Sequence, residues 1–140
     1  MLRTGNERIM LVEDDDSVRT VVAAMLKRLG YRVITAADGS EGLRLLRHDA
    51  QPVDLVVTDV VMPRMSGPAM VLALRAVDPD VKVLFVSANP QPGMDDGMDL
   101  PGPLLCKPFR SEELALAIRG ELDSRCDSVD AGPTLRRFGA

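Results

Sequence analysis

The stretch Asp54-Leu-Val-Val-Thr-Asp-Val-Val-Met-Pro-Arg-Met-Ser-Gly67 decides how the rest of the chain is read. Its apolar run, Leu55-Val56-Val57, is too short for a helix and rich in β-branched residues, which marks a strand buried on both faces. The strand delivers Asp59 at its C-terminal end, and Met62-Pro63 and Gly67 then break regular structure into a fixed loop. A carboxylate at the mouth of a buried parallel strand is a reactive group on a rigid base. Taken alone, such an Asp merely ends a strand or caps the next helix. The remainder of the chain decides otherwise.

The 140 residues suit one domain with a sizeable core. Aromatics are only 3% with no Trp, so that core is aliphatic and methionine-rich. The net charge of −4, with no basic stripe, argues against nucleic acid or anionic lipid as a direct partner. No apolar run approaches the roughly 20 residues needed to span a bilayer. The N-terminus lacks the apolar core of a signal peptide, so the expected location is cytoplasmic. Cys106 and Cys126 form no spacing motif and read as two reduced thiols.

In chain order, residues 1–7 form a polar lead-in. Ile9 to Val12 is a second buried-strand run, ending in Glu13-Asp14-Asp15-Asp16. Asp15 or Asp16 is placed to cap a helix carrying Val18, Val21, Val22, Met25, Leu26 and Leu29 at helical spacing, with Gly30 as its stop. Tyr31–Thr35 reads as a strand and Gly42–Arg47 as a helix. After the Asp59 loop come a helix over Pro68–Val77 and a strand over Val81–Val86 that ends in Ser87. The segment from Asn89 to Pro103 is rich in Pro and Gly and predicts at most a turn or two of helix. Leu104–Cys106 is a short last strand leading into Lys107-Pro108-Phe109, and Ser111 is placed to cap a final helix. The domain spans 8–123, and residues 124–140 read as a tail or linker.

Strands alternating with helices predict a doubly wound α/β fold: five βα units, a three-layer sandwich and parallel sheet order 2-1-3-4-5, the fourth helix short or degraded. Ligands in such sheets sit beyond the strands' C-terminal ends at the switch point. Glu13 and Asp14 end the first strand, Asp59 the third, Ser87 the fourth and Lys107 the fifth, so these groups converge on one crevice. Crowded carboxylates repel one another unless a cation sits among them. A hard ion such as Mg²⁺ meets that need, with Mn²⁺ able to substitute. Asp59 then has an oxygen free to attack phosphorus and form an aspartyl phosphate. Lys107 and Ser87 would contact the other phosphoryl oxygens. His48 reads as a surface residue, and Met62, Met65 and Met70 as packing, since a hard ion rejects thioether sulfur.

Val12-Glu13-Asp14-Asp15, the Asp59…Met62-Pro63…Gly67 loop, Ser87-Ala88 and Lys107-Pro108-Phe109, in this order and spacing, resemble the receiver domain of bacterial two-component response regulators. The resemblance covers roughly residues 8 to 123. It implies a phosphoprotein in which Asp59 accepts a phosphoryl group from a histidine kinase or a phosphotransfer protein. It implies Mg²⁺ held by Asp14, Asp59 and the Val61 backbone carbonyl, with Glu13 acting through water. It implies that Ser87 and Lys107 sense the phosphoryl group, and that the Lys107–Pro108 bond is cis.

Three departures qualify the resemblance. Leu104 stands where many members carry an aromatic switch residue. The Pro/Gly-rich segment replaces a helix that many members use to dimerise, so a monomer or weak dimer is expected. That segment resembles receivers attached to hybrid histidine kinases. No output module follows, which suggests a stand-alone receiver or an excised one, in a phosphorelay or gating a partner. The alternative is a phosphorylation-independent interaction module with the same fold. A haloacid-dehalogenase-like phosphatase needs a second acid two residues after the nucleophile, and that residue is Val61. The expectation is therefore no enzyme, beyond self-phosphorylation from phosphodonors and modest autodephosphorylation, since Val61 and Asn89 flank the path of hydrolytic water.

Overall fold

The computed structural model describes residues 5–48, 52–62, 64–87, 100 and 102–124. Asp59 is the last residue of the central strand, and the other elements build outward from it. They are β1 (Arg8–Val12), α1 (Asp16–Arg28), β2 (Arg32–Ala36), α2 (Gly39–His48), β3 (Leu55–Asp59), α3 (Gly67–Val77), β4 (Val83–Ser87), β5 (Leu104–Cys106) and α4 (Ser111–Leu122). All strand pairs are parallel, in the expected order β2-β1-β3-β4-β5.

The runs Ile9–Val12 of β1, Leu55–Val57 of β3 and Val83–Val86 of β4 are continuously apolar because each face of the sheet has its own core. Ile9, Leu11 and Val57 point to one side, where they meet Leu26 of α1 and Leu114 and Ile118 of α4. Met10, Val12, Val56 and Phe85 point to the other, against Leu43 of α2 and Met70 and Leu74 of α3. This alternation is the two-residue period of a pleated strand. The methionines that flank the Asp59 loop, Met62, Met65 and Met70, all pack in this second core.

Local signals set most boundaries. Asp15 accepts from the backbone N–H groups of Ser17 and Val18 and is the cap of α1. Gly30, at φ 99°, ends that helix with its N–H on the Lys27 carbonyl (2.9 Å). Other boundaries differ from expectation. Helix α2 starts at Gly39 rather than Gly42, because Asp38 Oδ1 accepts from the Glu41 N–H (2.8 Å) and Glu41 Oε1 from the Ala37 N–H (2.7 Å). The Asp-x-x-Glu spacing behind these two bonds, in which Glu41 reaches one residue past the cap, is visible in Asp38-Gly-Ser-Glu41. The cap of α4 is Arg110, not Ser111, and its N–H donates to Glu113 Oε1 at 2.7 Å. Strand β2 runs one residue later than Tyr31–Thr35. Strand β4 begins at Val83 rather than Val81 and includes Ser87. Cys106, at the end of β5, is a free and exposed thiol.

From Gly5 onward the lead-in is fastened to the domain. The Gly5 N–H donates to Leu29 O (3.3 Å) and the Arg32 N–H to Glu7 O (3.0 Å), while Arg119 of α4 pairs with Glu7 (2.8 Å). Lys82 closes the far end of α4 by donating to the carbonyls of Leu122 (2.9 Å) and Ser124 (2.8 Å). The expected short helix after β4, Asn89, Cys126 and the tail beyond Ser124 lie outside the described residues. Among the described residues, no helix is long and apolar enough to cross a membrane.

Candidate functional site

The site forms where β1, β3, β4 and β5 end. Glu13 follows β1 directly, and its N–H still bonds to Ala36 O of β2 (3.1 Å), which draws the side chain inward to 2% exposure. Its Oε2 accepts from the Asp15 N–H (3.1 Å), and its carbonyl accepts from Arg19 Nη1 (2.8 Å). Asp14 beside it is exposed. Asp59 is partly buried, with Oδ1 accepting from the Val60 N–H at 2.9 Å. The carboxylate oxygens of Glu13, Asp14 and Asp59 gather within 4.8 Å of one another.

Lys107 reaches this cluster because β5 pairs with β4 in the register Ser87↔Cys106, and its N–H then bonds to Ser87 O (2.8 Å). Its ammonium lies 2.8 Å from Glu13 Oε1 and 3.5 Å from Asp59 Oδ2. The Lys107–Pro108 bond is cis. Ser87 is buried at the end of β4, and the Val61 side chain is exposed in the loop after β3. The structure thus gathers the carboxylates of Glu13, Asp14 and Asp59 within 4.8 Å of one another and sets Lys107 against Glu13 and Asp59, with Ser87 on the adjoining strand end. His48 is exposed at the C-terminal end of α2, remote from this edge of the sheet.

Burial, followed by the negative charge of Glu13, pushes the Asp59 carboxyl up to about 6, against the opposing pull of Lys107 and the Val60 N–H. Burial works to lower the Lys107 pKa, but its hydrogen bond to Glu13 and the charges of Asp59 and Glu13 raise it overall. Among the described residues, Lys107 is the cation in contact with this three-carboxylate cluster, through Glu13 and Asp59, and these groups are short of positive charge. An all-oxygen donor set with that deficit fits a small hard cation and suits softer metals poorly.

Two features escaped the reading of the sequence. Arg19 braces the β1–α1 loop through the Glu13 carbonyl. Val21, one of the helically spaced apolar residues of α1, is 59% exposed and lines a groove of about 350 Å³ with Val18, Met25, Lys107, Pro108 and Phe109. The spacing carries no warning of this: Val18, Val21, Val22 and Met25 follow the ordinary i, i+3, i+4, i+7 pattern of a buried face.

The family described as response regulator receiver domain matches residues 9–119. The chain belongs to that family. The receiver is 36% identical over 124 residues to sensor kinase CckA of Brucella abortus, covering 87% of this chain but only 13% of that protein. It is 31% identical over 110 residues to the response regulator receiver protein CpdR of the same organism, covering 77% of this chain and 90% of CpdR. Among solved structures, the receiver domain of sensor histidine kinase PA1611 from Pseudomonas aeruginosa PAO1 superimposes with a TM-score of 0.76 at 30% identity, over 86% of this chain and all of that one. That structure holds a magnesium ion in its active-site cleft. The receiver assignment accounts for the doubly wound sheet and for the acidic edge at its switch point.

Proposed function

We propose that this receiver is a phosphoacceptor switch in His–Asp signal transduction. The observation that carries the reading is Asp59, at the end of the central strand, with an ammonium 3.5 Å away and two further carboxylates within 4.8 Å. An oxygen of Asp59 attacks the phosphorus of a phosphohistidine on a histidine kinase or phosphotransfer protein. The new P–O bond forms as the P–N bond breaks, and the imidazole leaves with the electron pair. The ammonium of Lys107 neutralises charge on a phosphoryl oxygen, and the Ser87 hydroxyl donates to another. Asp14, Asp59 and the Val61 carbonyl would hold Mg²⁺, with Glu13 acting through water. Bound there, Mg²⁺ supplies further charge neutralisation. The apolar groove beside Lys107 offers the donor a docking surface next to Asp59. The output is a change in partner binding or onward transfer of the phosphoryl group.

The test is an intact mass after incubation with acetyl phosphate and Mg²⁺, beside Asp59→Ala and a metal-free control. One phosphoryl adduct, lost in both controls, is expected. No adduct from acetyl phosphate or from histidine-phosphorylated donors would overturn the reading and favour the phosphorylation-independent interaction module.

A further inference from the structure

The loop after Asp59 is braced from outside the site. Its base is closed by the Gly67 N–H on Val60 O (3.0 Å). Its far end carries Arg64, whose Nη1 lies 2.8 Å from Asp38 Oδ2. Asp38 cannot swing to follow Arg64, because its other oxygen caps α2 and its side chain is only 15% exposed. The loop also lies directly on the first turn of α2: a Cβ on Gly39 would stand 3.0 Å from the Met65 carbonyl. Arg64 itself sits at φ 69°, a conformation that an L-residue with a long side chain rarely adopts without restraint. An exposed ion pair ordinarily contributes little to stability. Here one partner is anchored and the other holds a strained backbone, which gives the pair a geometric role.

We propose that the Arg64–Asp38 pair is a positioning device that holds the β3–α3 loop so that the Val61 carbonyl completes the Mg²⁺ site. This inference rests on the proposed phosphoacceptor reading and adds residues that touch neither metal nor phosphate. Removal of the strut leaves the fold intact but lets the loop open. The loop then has to be ordered again at each binding event, and metal affinity falls.

The test compares wild type, Arg64→Gly and Arg64→Lys in the full chain. Hydrogen exchange of the Gly67 amide is followed without metal, and Mg²⁺ half-saturation is measured by calorimetry. Arg64→Gly is expected to speed Gly67 exchange about tenfold while Val57 is unchanged. The same variant raises Mg²⁺ half-saturation about fivefold. Its denaturation midpoint does not fall, because glycine relieves the left-handed φ. Arg64→Lys keeps the charge and recovers most of both effects. Unchanged exchange, or wild-type Mg²⁺ binding in Arg64→Gly, overturns the positioning role alone. A wild type that binds no Mg²⁺ overturns the metal site and the positioning role with it, whatever the loop amides show.

Discussion

Lys107 Nζ lies 2.8 Å from Glu13 Oε1 across 94 residues of sequence, joining the end of the first strand to the end of the last. Glu13 is 2% exposed, so this ammonium is what offsets a carboxylate taken out of water. Lys107→Met leaves that charge unpaired and is expected to destabilise the metal-free protein by about 2–3 kcal/mol. Urea midpoints measure it, and added Mg²⁺ should restore part of the loss. A loss no larger than that of an exposed ion pair would contradict this account.

Asp59 has the opposite character. Its folded pKa of about 6 lies above the ordinary 3.8, so its ionised form disfavours the folded state. The penalty is complete above the folded value and absent below the ordinary one. Asp59→Asn is therefore expected to stabilise the metal-free protein at pH 7 by about 2 kcal/mol. The advantage should shrink as pH falls through 6 and vanish near 3.8. Thermal midpoints of both proteins across that range check it, and an Asn variant less stable at neutral pH would refute it.

Glu7 is predicted to titrate with the reverse sign. Its hydrogen bond to Arg119 holds it below its ordinary value of 4.5. Its contribution is thus present above that value and lost as pH falls through the lower folded one. Glu7→Gln should cost no more than about 1 kcal/mol at pH 7, since solvent screens the pair. The two proteins should converge in acid when their denaturation is compared.

Two glycines make contrasting predictions. A Cβ on Gly67 would stand 2.1 Å from the Asp59 carbonyl, which cannot yield without moving the phosphoacceptor. Gly67→Ala is expected to cost at least about 2 kcal/mol and to lower the rate of acyl-phosphate labelling. A Cβ on Gly120 of α4 meets nothing within 4 Å. Gly120→Ala should stabilise the helix by about 0.5–1 kcal/mol, read from the urea midpoint, and leave labelling unchanged.

Much of this receiver was legible along the chain because its signals are local. A run such as Leu55-Val56-Val57 can satisfy its apolar faces only inside a sheet, and Asp59 then falls at the strand's mouth. Asp15 caps α1 through neighbours two and three residues away. The order of the sheet follows from the repetition of such units.

What tertiary structure alone decided is the distance at which the site groups meet, and which pairs form outside the site. The β4–β5 register carries Lys107 to Glu13 and Asp59, and no local pattern specifies that separation. Val21 and Cys106 obey the hydrophobic pattern of their elements yet are exposed, because burial depends on what packs opposite. Arg64 and Asp38, 26 residues apart, read singly as a loop cation and a helix cap. Only the folding of the β3–α3 loop onto α2 makes them a pair. Periodicity is a property of neighbours in sequence, whereas charge pairing and exposure are properties of neighbours in space.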